Sequence, residues 1–144
     1  QISDEIGRIM SRVGKYCEDR KKPLIMEDID TTISKHGMKY GSKKGNRHAS
    51  VFAYRKMESC IENQSYRRSF GVIKINPAYT SQICNICGSF GKRNSDLFKC
   101  SDCGETHADL NAAINILNRK YDENITLYTP YTKVRNILKK RISV

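Results

Sequence analysis

An α/β fold is the class this sequence predicts, on two observations. Two short apolar runs, Pro23-Leu24-Ile25-Met26 and Phe70-Gly71-Val72-Ile73-Lys74-Ile75, flank a segment with helical spacing. Strand, helix, strand in that order implies parallel strands joined by a right-handed crossover. Beyond the second run, Cys84, Cys87, Cys100 and Cys103 form two C-x2-C pairs with twelve residues between them. A two-residue gap lets both thiolates of a pair turn toward one point. Two such knuckles, each followed by a glycine (Gly88, Gly104), complete the tetrahedral S4 shell that zinc prefers. Two disulfides, or four unrelated cysteines, are the competing readings. The doubled C-x2-C-G is among the more specific metal signals a sequence carries, so zinc is adopted. No coordination position is left open, and the metal is read as structural.

The elements follow in chain order. Ile2, Ile6, Ile9, Met10, Val13 and Cys17 recur at helical intervals behind Ser3-Asp4-Glu5, a capping residue and two acids that suit a helix start. Leu24-Ile25-Met26 is too brief for a helix and reads as a buried strand. It stops at Glu27-Asp28-Ile29-Asp30, and acids at the carboxyl end of a buried strand either carry chemistry or cap a turn. From Thr31 to Arg47 the chain has three glycines, five Lys/Arg and His36, without apolar periodicity, and reads as a mobile basic loop, either irregular throughout or holding a short helical turn. His36 and His48 have no second ligand at metal spacing and read as solvent or phosphate contacts. A helix with Ala53, Tyr54, Met57, Cys60, Ile61 and Gln64 along one side leads to the strand at Phe70–Ile75. Between the knuckles, Lys92, Arg93 and Asn94 form a polar basic tip, while Phe90 and Phe98 are expected to pack the ribbon, with nucleic-acid stacking the weaker alternative for Phe90. Thr106 is expected to cap a helix through Lys120 whose face is Leu110, Ala113, Ile114 and Leu117, widened by Ala112 and Ile116. The paired alanines imply a close neighbour. Asp109 lies either in a first turn favoured by the dipole, or beside an apolar seam where it needs a cation or donors. After Tyr121 the tail is either a short amphipathic helix or a frayed end.

A chain of 144 residues is the size of one domain. Its 26 Lys+Arg against 15 Asp+Glu leave a net charge of +11, unevenly spread. No acid interrupts Lys35, Lys39, Lys43, Lys44, Arg47, Arg55 and Lys56, nor Arg67, Arg68, Lys74, Lys92 and Arg93. Such a surface fits nucleic acid; general solubility or an acidic protein partner is the bland reading. Lys39, Lys43, Lys44, Arg47, Arg67, Arg68, Lys92 and Arg93 are the candidate phosphate contacts. No apolar run is long enough to span a membrane, and the opening Q-I-S-D-E is not a leader. Four thiols committed to metal suit an intracellular, reducing compartment, the cytoplasm if the source is prokaryotic, with Cys17 and Cys60 free in the core. The missing initiating Met is what either an excised piece or a processed chain would show.

The stretches L-I-M-E-D-I-D, N-P-A-Y-T-S-Q-I-C-N-I-C-G, F-K-C-S-D-C-G and H-A-D-L-N-A-A-I-N-I together resemble the C-terminal part of the TnpB proteins. These are the OrfB-type, transposon-encoded RNA-guided nucleases related to type V CRISPR effectors. The resemblance runs from about Ile2 to Lys120. It implies a RuvC-like nuclease of the RNase H fold with a zinc ribbon before its last helix. Glu27 matches the second family acid and Asp109 the third, together flanking catalytic Mg2+; Cys84, Cys87, Cys100 and Cys103 match the zinc ligands. The first acid, on an opening strand, has no counterpart here. The implied fold is therefore a partial RNase H-like one, α/β, with the first strands of its sheet missing. The expected division is a RuvC-like part at 1–78, a zinc ribbon at 79–106, the last RuvC-like helix at 107–120 and a basic tail at 121–144. The implied partners are DNA, a guide RNA, and either the missing N-terminal part or a second protomer. The implied function is that of a C-terminal fragment of a metal-dependent DNA endonuclease, inactive alone. A zinc-ribbon nucleic-acid-binding module without catalysis is the alternative.

Overall fold

The computed structural model describes residues 2–29 and 44–143, the side chains of 44–50 excepted. Mixed α/β structure is observed, in two compact units: residues 1–24 with 37–73, and residues 25–36 with 74–144.

In the first unit, α1 (Ile2–Arg20) packs on α2 (Lys44–Arg68). The buried positions of α1 are Met10, Gly14 and Cys17, spaced to share one face. A Cβ on Gly14 would stand 2.8 Å from Cβ of Gln64, so only glycine permits this approach of the helices. Ile2 and Ile9, expected on the packed stripe, are exposed, as is Met57 of α2. The helices make contact where Gly14 lets them close, and the stripe opens away from that point. Arg68 ties the pair, donating to Gln64 Oε1 at 2.7 Å and to Glu18 at 2.6 Å. Both helices end without glycine: Lys21 and Ser69 adopt φ of 50° and 54°. Lys22 N–H then reaches the Cys17 carbonyl and Phe70 N–H the Ser65 carbonyl, which satisfies backbone acceptors at each helix end. The basic loop expected to run to Arg47 ends earlier, because α2 begins at Lys44. Its opening residues, Lys44 to His48, carry no apolar periodicity in the sequence. Lys39, Lys43 and His36 lie outside the described residues.

β1 (Leu24–Glu27) pairs with β2 (Val72–Ile75). Leu24 N–H donates to the Gly71 carbonyl and Asp28 N–H to the Ile75 carbonyl, so partner numbers rise together and the strands are parallel.

The second unit is built around the ribbon. β3 (Lys92–Asn94), β4 (Leu97–Cys100) and β5 (Gly104–His107) form an antiparallel sheet in that order, with Phe98 fully buried beside Cys84, Cys100 and Ala108. One residue after β5 the chain enters α3 (Ala108–Arg119). Its N-cap is His107, whose side chain accepts from Asp109 N–H; Thr106, expected in that role, belongs to β5. The packed face of α3 also differs from expectation. Leu110 is 57% exposed and Leu117 48%, whereas Asn111, Asn115 and Arg119 are buried. The reason is the irregular segment 76–85, whose backbone groups need partners. Arg119 donates to the carbonyls of Asn76 and Ala78, Asn115 to those of Thr80 and Ile83, and Asn111 to that of Ile83 while accepting from Asn85 N–H. An apolar stripe would leave those carbonyls unsatisfied, so the polar stripe turns inward.

The tail resolves as a docked helix, α4 (Tyr131–Ile142). Val134 and Leu138 join Ala78, Tyr79, Ile83 and Ile125 in a core, with Tyr131 stacked on Tyr79 at 4.2 Å between centroids. A two-pronged pair from Arg141 to Asp122, at 2.7 and 2.8 Å, fastens its end.

Candidate metal centre and acidic cavity

The sulfurs of Cys84, Cys87, Cys100 and Cys103 all lie within 4.8 Å of one another, and none is in a disulfide. A Zn–S length of about 2.3 Å places the four sulfurs of a tetrahedral shell roughly 3.8 Å apart, so the cluster fits one zinc ion. Gly88 and Gly104 close the knuckles with φ of 77° and 84°, a region that a side chain would strain. In the first knuckle Gly88 N–H returns to the Cys84 carbonyl, and Cys84 N–H donates to the Ser89 carbonyl. Hydrogen bonds from Ser89 bring the Cys87 thiol down to about 6. The neighbouring sulfurs, Cys87 first, push Cys103 up to about 12. Such crowding opposes full ionisation until a cation binds; four thiolates with a divalent ion remove the conflict.

The ribbon delivers Asp109. From the first turn of α3 its carboxylate reaches a cavity of about 380 Å³ that Glu27 also lines, together with Thr80, Ser81, Arg93 and Ala112. The two acids differ in setting. Glu27, at the end of β1, is half-buried, and desolvation raises its carboxyl above the usual range. The hydrogen bond from Thr80 and the charge of Arg119 act the other way. Asp109 is 67% exposed and accepts from Arg93 at 2.8 Å, while Arg93 Nε also donates to the Ser95 carbonyl. Asp109 stands exposed in the first turn of α3 and also lines the cavity beside Ala112 and Ile116, with Arg93 as the cation next to it. Among the described residues the four cysteines are the only cluster of three or more metal-ligating side chains.

The candidate phosphate contacts occupy different settings. Arg67 ends α2 exposed, and Arg68 is engaged with Glu18 and Gln64. Lys92 and Arg93 lie on exposed β3, Arg93 turned to Asp109. Lys44 and Arg47 belong to the first turn of α2, their side chains outside the description. No helix among the described residues is long and apolar enough to cross a membrane. Sequence reasoning missed Asn111, Asn115 and Arg119, although their four-residue spacing marks one helix face, and it gave no role to Thr80.

Fold and site define a mixed α/β chain in which a cysteine-clasped ribbon carries a helix to an acid-lined cavity. Residues 54–116 match the family described as Cas12f1-like, TNB domain. The TnpB-like protein aq_aa05 of Aquifex aeolicus is 36% identical over 120 residues, covering 79% of this chain and 39% of that protein. The CRISPR-associated endodeoxyribonuclease Cas12f1 of Sulfoacidibacillus thermotolerans is 38% identical over 133 residues, covering 87% and 31%. InsQ of Escherichia coli, whose name marks it as a candidate RNA-guided DNA endonuclease, is 34% identical over 124 residues, covering 79% and 31%. The chain belongs to this TnpB-type family. It spans about a third of the length of these curated relatives.

Proposed function

We propose that the chain is the C-terminal part of an RNA-guided DNA endonuclease with a RuvC-like, RNase H-type core, and that Glu27 and Asp109 are two of the three carboxylates of its Mg2+ site. The observation that carries this reading is that both acids line one cavity, one from a strand end and the other from the helix fixed by the ribbon. Their donors are carboxylate oxygens, which suit a hard cation, and Asp109 already attracts a guanidinium. Bound there, Mg2+ would activate water and steady the oxygen leaving the phosphodiester. The chain's own part is to hold two negative charges at set positions. Glu27 is kept by Thr80 within a partly desolvated wall, and Asp109 is kept by a helix that cannot shift while the ribbon is clasped. The third carboxylate comes from an upstream strand, so the chain alone is inactive. DNA and guide RNA are the partners, with Lys39, Lys43, Lys44, Arg47, Arg67, Arg68, Lys92 and Arg93 as phosphate contacts. The test supplies the upstream part of the Aquifex relative in trans, with guide and target. Mg2+-dependent cleavage is expected only when both pieces co-purify as one complex; an assembled complex that leaves DNA intact would overturn the reading.

A second reading, a nucleic-acid-binding module without catalysis, is favoured by the pairing of Arg93 with Asp109. Both readings predict salt-sensitive binding, because each Lys/Arg–phosphate contact releases counterions. With six or more contacts, affinity is expected to fall about 10³-fold between ~50 and ~200 mM salt. A fluorescence-anisotropy titration giving a flat response would remove the basic surface from either account.

A further inference from the structure

Thr80 sits between the two acids without being one of them. Its side chain is buried, with 2% of the residue exposed. Its hydroxyl has two acceptors in reach, the Glu27 carboxylate and the Pro77 carbonyl at 3.1 Å. A hydroxyl has one proton, so it donates to one of them at a time. Toward an ionised Glu27 the proton belongs on the carboxylate side, since a charged acceptor makes the stronger bond. The Thr80 backbone is held independently. Its N–H faces the Pro77 carbonyl at 3.4 Å, and its own carbonyl accepts from Asn115 Nδ2 at 2.9 Å. Asn115 stands on α3, the helix that opens with Asp109, and the same amide grips the Ile83 carbonyl at 2.8 Å. One rigid helix therefore sets Asp109 directly and, through Asn115 and the turn at Thr80, sets the donor that meets Glu27.

We propose that Thr80 is a positioning residue: its hydroxyl aims the Glu27 carboxylate into the cavity that Asp109 shares, and Asn115 fixes that hydroxyl in place. The inference rests on the reading of Glu27 and Asp109 as cation ligands, and it gives a chemical task to the threonine of the T-S-x-x-C-x-x-C-G stretch. A carboxylate needs its lone pairs directed at the cation, and an acid on a flexible three-bond stem does not hold that direction unaided. Since the turn is already held through its backbone, the hydroxyl's contribution falls on Glu27 more than on stability.

The experiment uses this chain with Thr80→Val, which keeps the shape and removes the donor, and Thr80→Ser, which keeps the donor. Mn2+ serves as the probe, followed by electron paramagnetic resonance and by relaxation of the Glu27 side-chain carboxyl carbon in NMR. A hydrogen bond to a charged group sets the scale, so Thr80→Val is expected to weaken Mn2+ binding about tenfold and to move the Glu27 carboxyl resonance. Thr80→Ser is expected to stay within about twofold with the resonance unmoved. Val binding Mn2+ like the parent with an unmoved resonance, or Ser behaving like Val, would overturn the inference. If Mn2+ does not relax Glu27 in the parent chain, the two carboxylates do not hold the cation without the upstream one, and the resonance of Val against Ser still decides the positioning role. Should Thr80→Val fail to fold, Thr80→Ala is judged by the same two readouts.

Discussion

Removing zinc is expected to unfold residues 79–120 as one cooperative step. The ribbon strands are three to four residues long, and the core beneath them is Phe98, Cys84, Cys100 and Ala108. Two of those four are metal ligands. Sheets this short are marginal without support, while a structural zinc site contributes on the order of 10 kcal/mol or more of folding free energy. The metal term is therefore larger than anything the ribbon's side chains supply. Loss propagates because α3 begins directly after β5, and its asparagines complete the backbone hydrogen bonding of 76–85. Chelation with EDTA, or Cys100→Ser, should abolish amide protection from Tyr79 through Lys120, while the α1–α2 pair, which belongs to the other compact unit, melts in its own transition. A melt unchanged by chelator would contradict this. Cysteine reactivity gives a second check: the four thiols should label together when metal leaves.

What could be read from residues alone was the chemistry that depends on identity and fixed spacing. Four cysteines in two C-x2-C-G units admit few geometries, and the sulfurs do converge. Short apolar runs bounded by Pro23 and by Asn76-Pro77 became β1 and β2, because a run too brief for a helix, with firm stops, is marked as a strand by local sequence. The inner face of α3 was not legible, since hydropathy assigns Leu110 and Leu117 to a core and asparagines to solvent. It is the carbonyls of the irregular segment 76–85, from 28 to 43 residues earlier in sequence and visible only in three dimensions, that draw Asn111, Asn115 and Arg119 inward. The start of α2 was hidden for a related reason: its opening residues are basic and glycine-bearing, and nothing periodic announces them. The helix ends at Lys21 and Ser69 likewise lack the glycine that usually marks a left-handed closure. As for the cavity, the acids were noticed by position, but the residues that orient them were not, because a buried threonine and asparagine have no signature outside their hydrogen bonds.

In the protein that contains this chain, Glu27→Gln and Asp109→Asn are each expected to lower guide-directed DNA cleavage about 10³-fold or more. A bound cation supplies several kcal/mol of transition-state stabilisation, and each ~1.4 kcal/mol is tenfold in rate. The double variant should be little worse than either single, since ligands of one site act as a unit. Stability should move differently. Burial holds the Glu27 carboxyl above its ordinary range. For an acid raised in this way, the folded state binds more protons than the unfolded state between the two titration points. Stability therefore falls as pH rises through that window, and the cost is fully present above it. Neutral glutamine removes that cost at neutral pH while still accepting from Thr80, so the fold should be as stable as the parent or slightly more so. Asp109→Asn gives up an exposed pair with Arg93, worth no more than about 1 kcal/mol. Cleavage assays beside thermal melts separate the cases: activity lost with the melt kept marks ligands of the reacting centre. Cleavage retained within about tenfold would remove Glu27 and Asp109 from the chemistry. Unchanged nucleic-acid affinity in those same variants would then leave the binding-module reading in place.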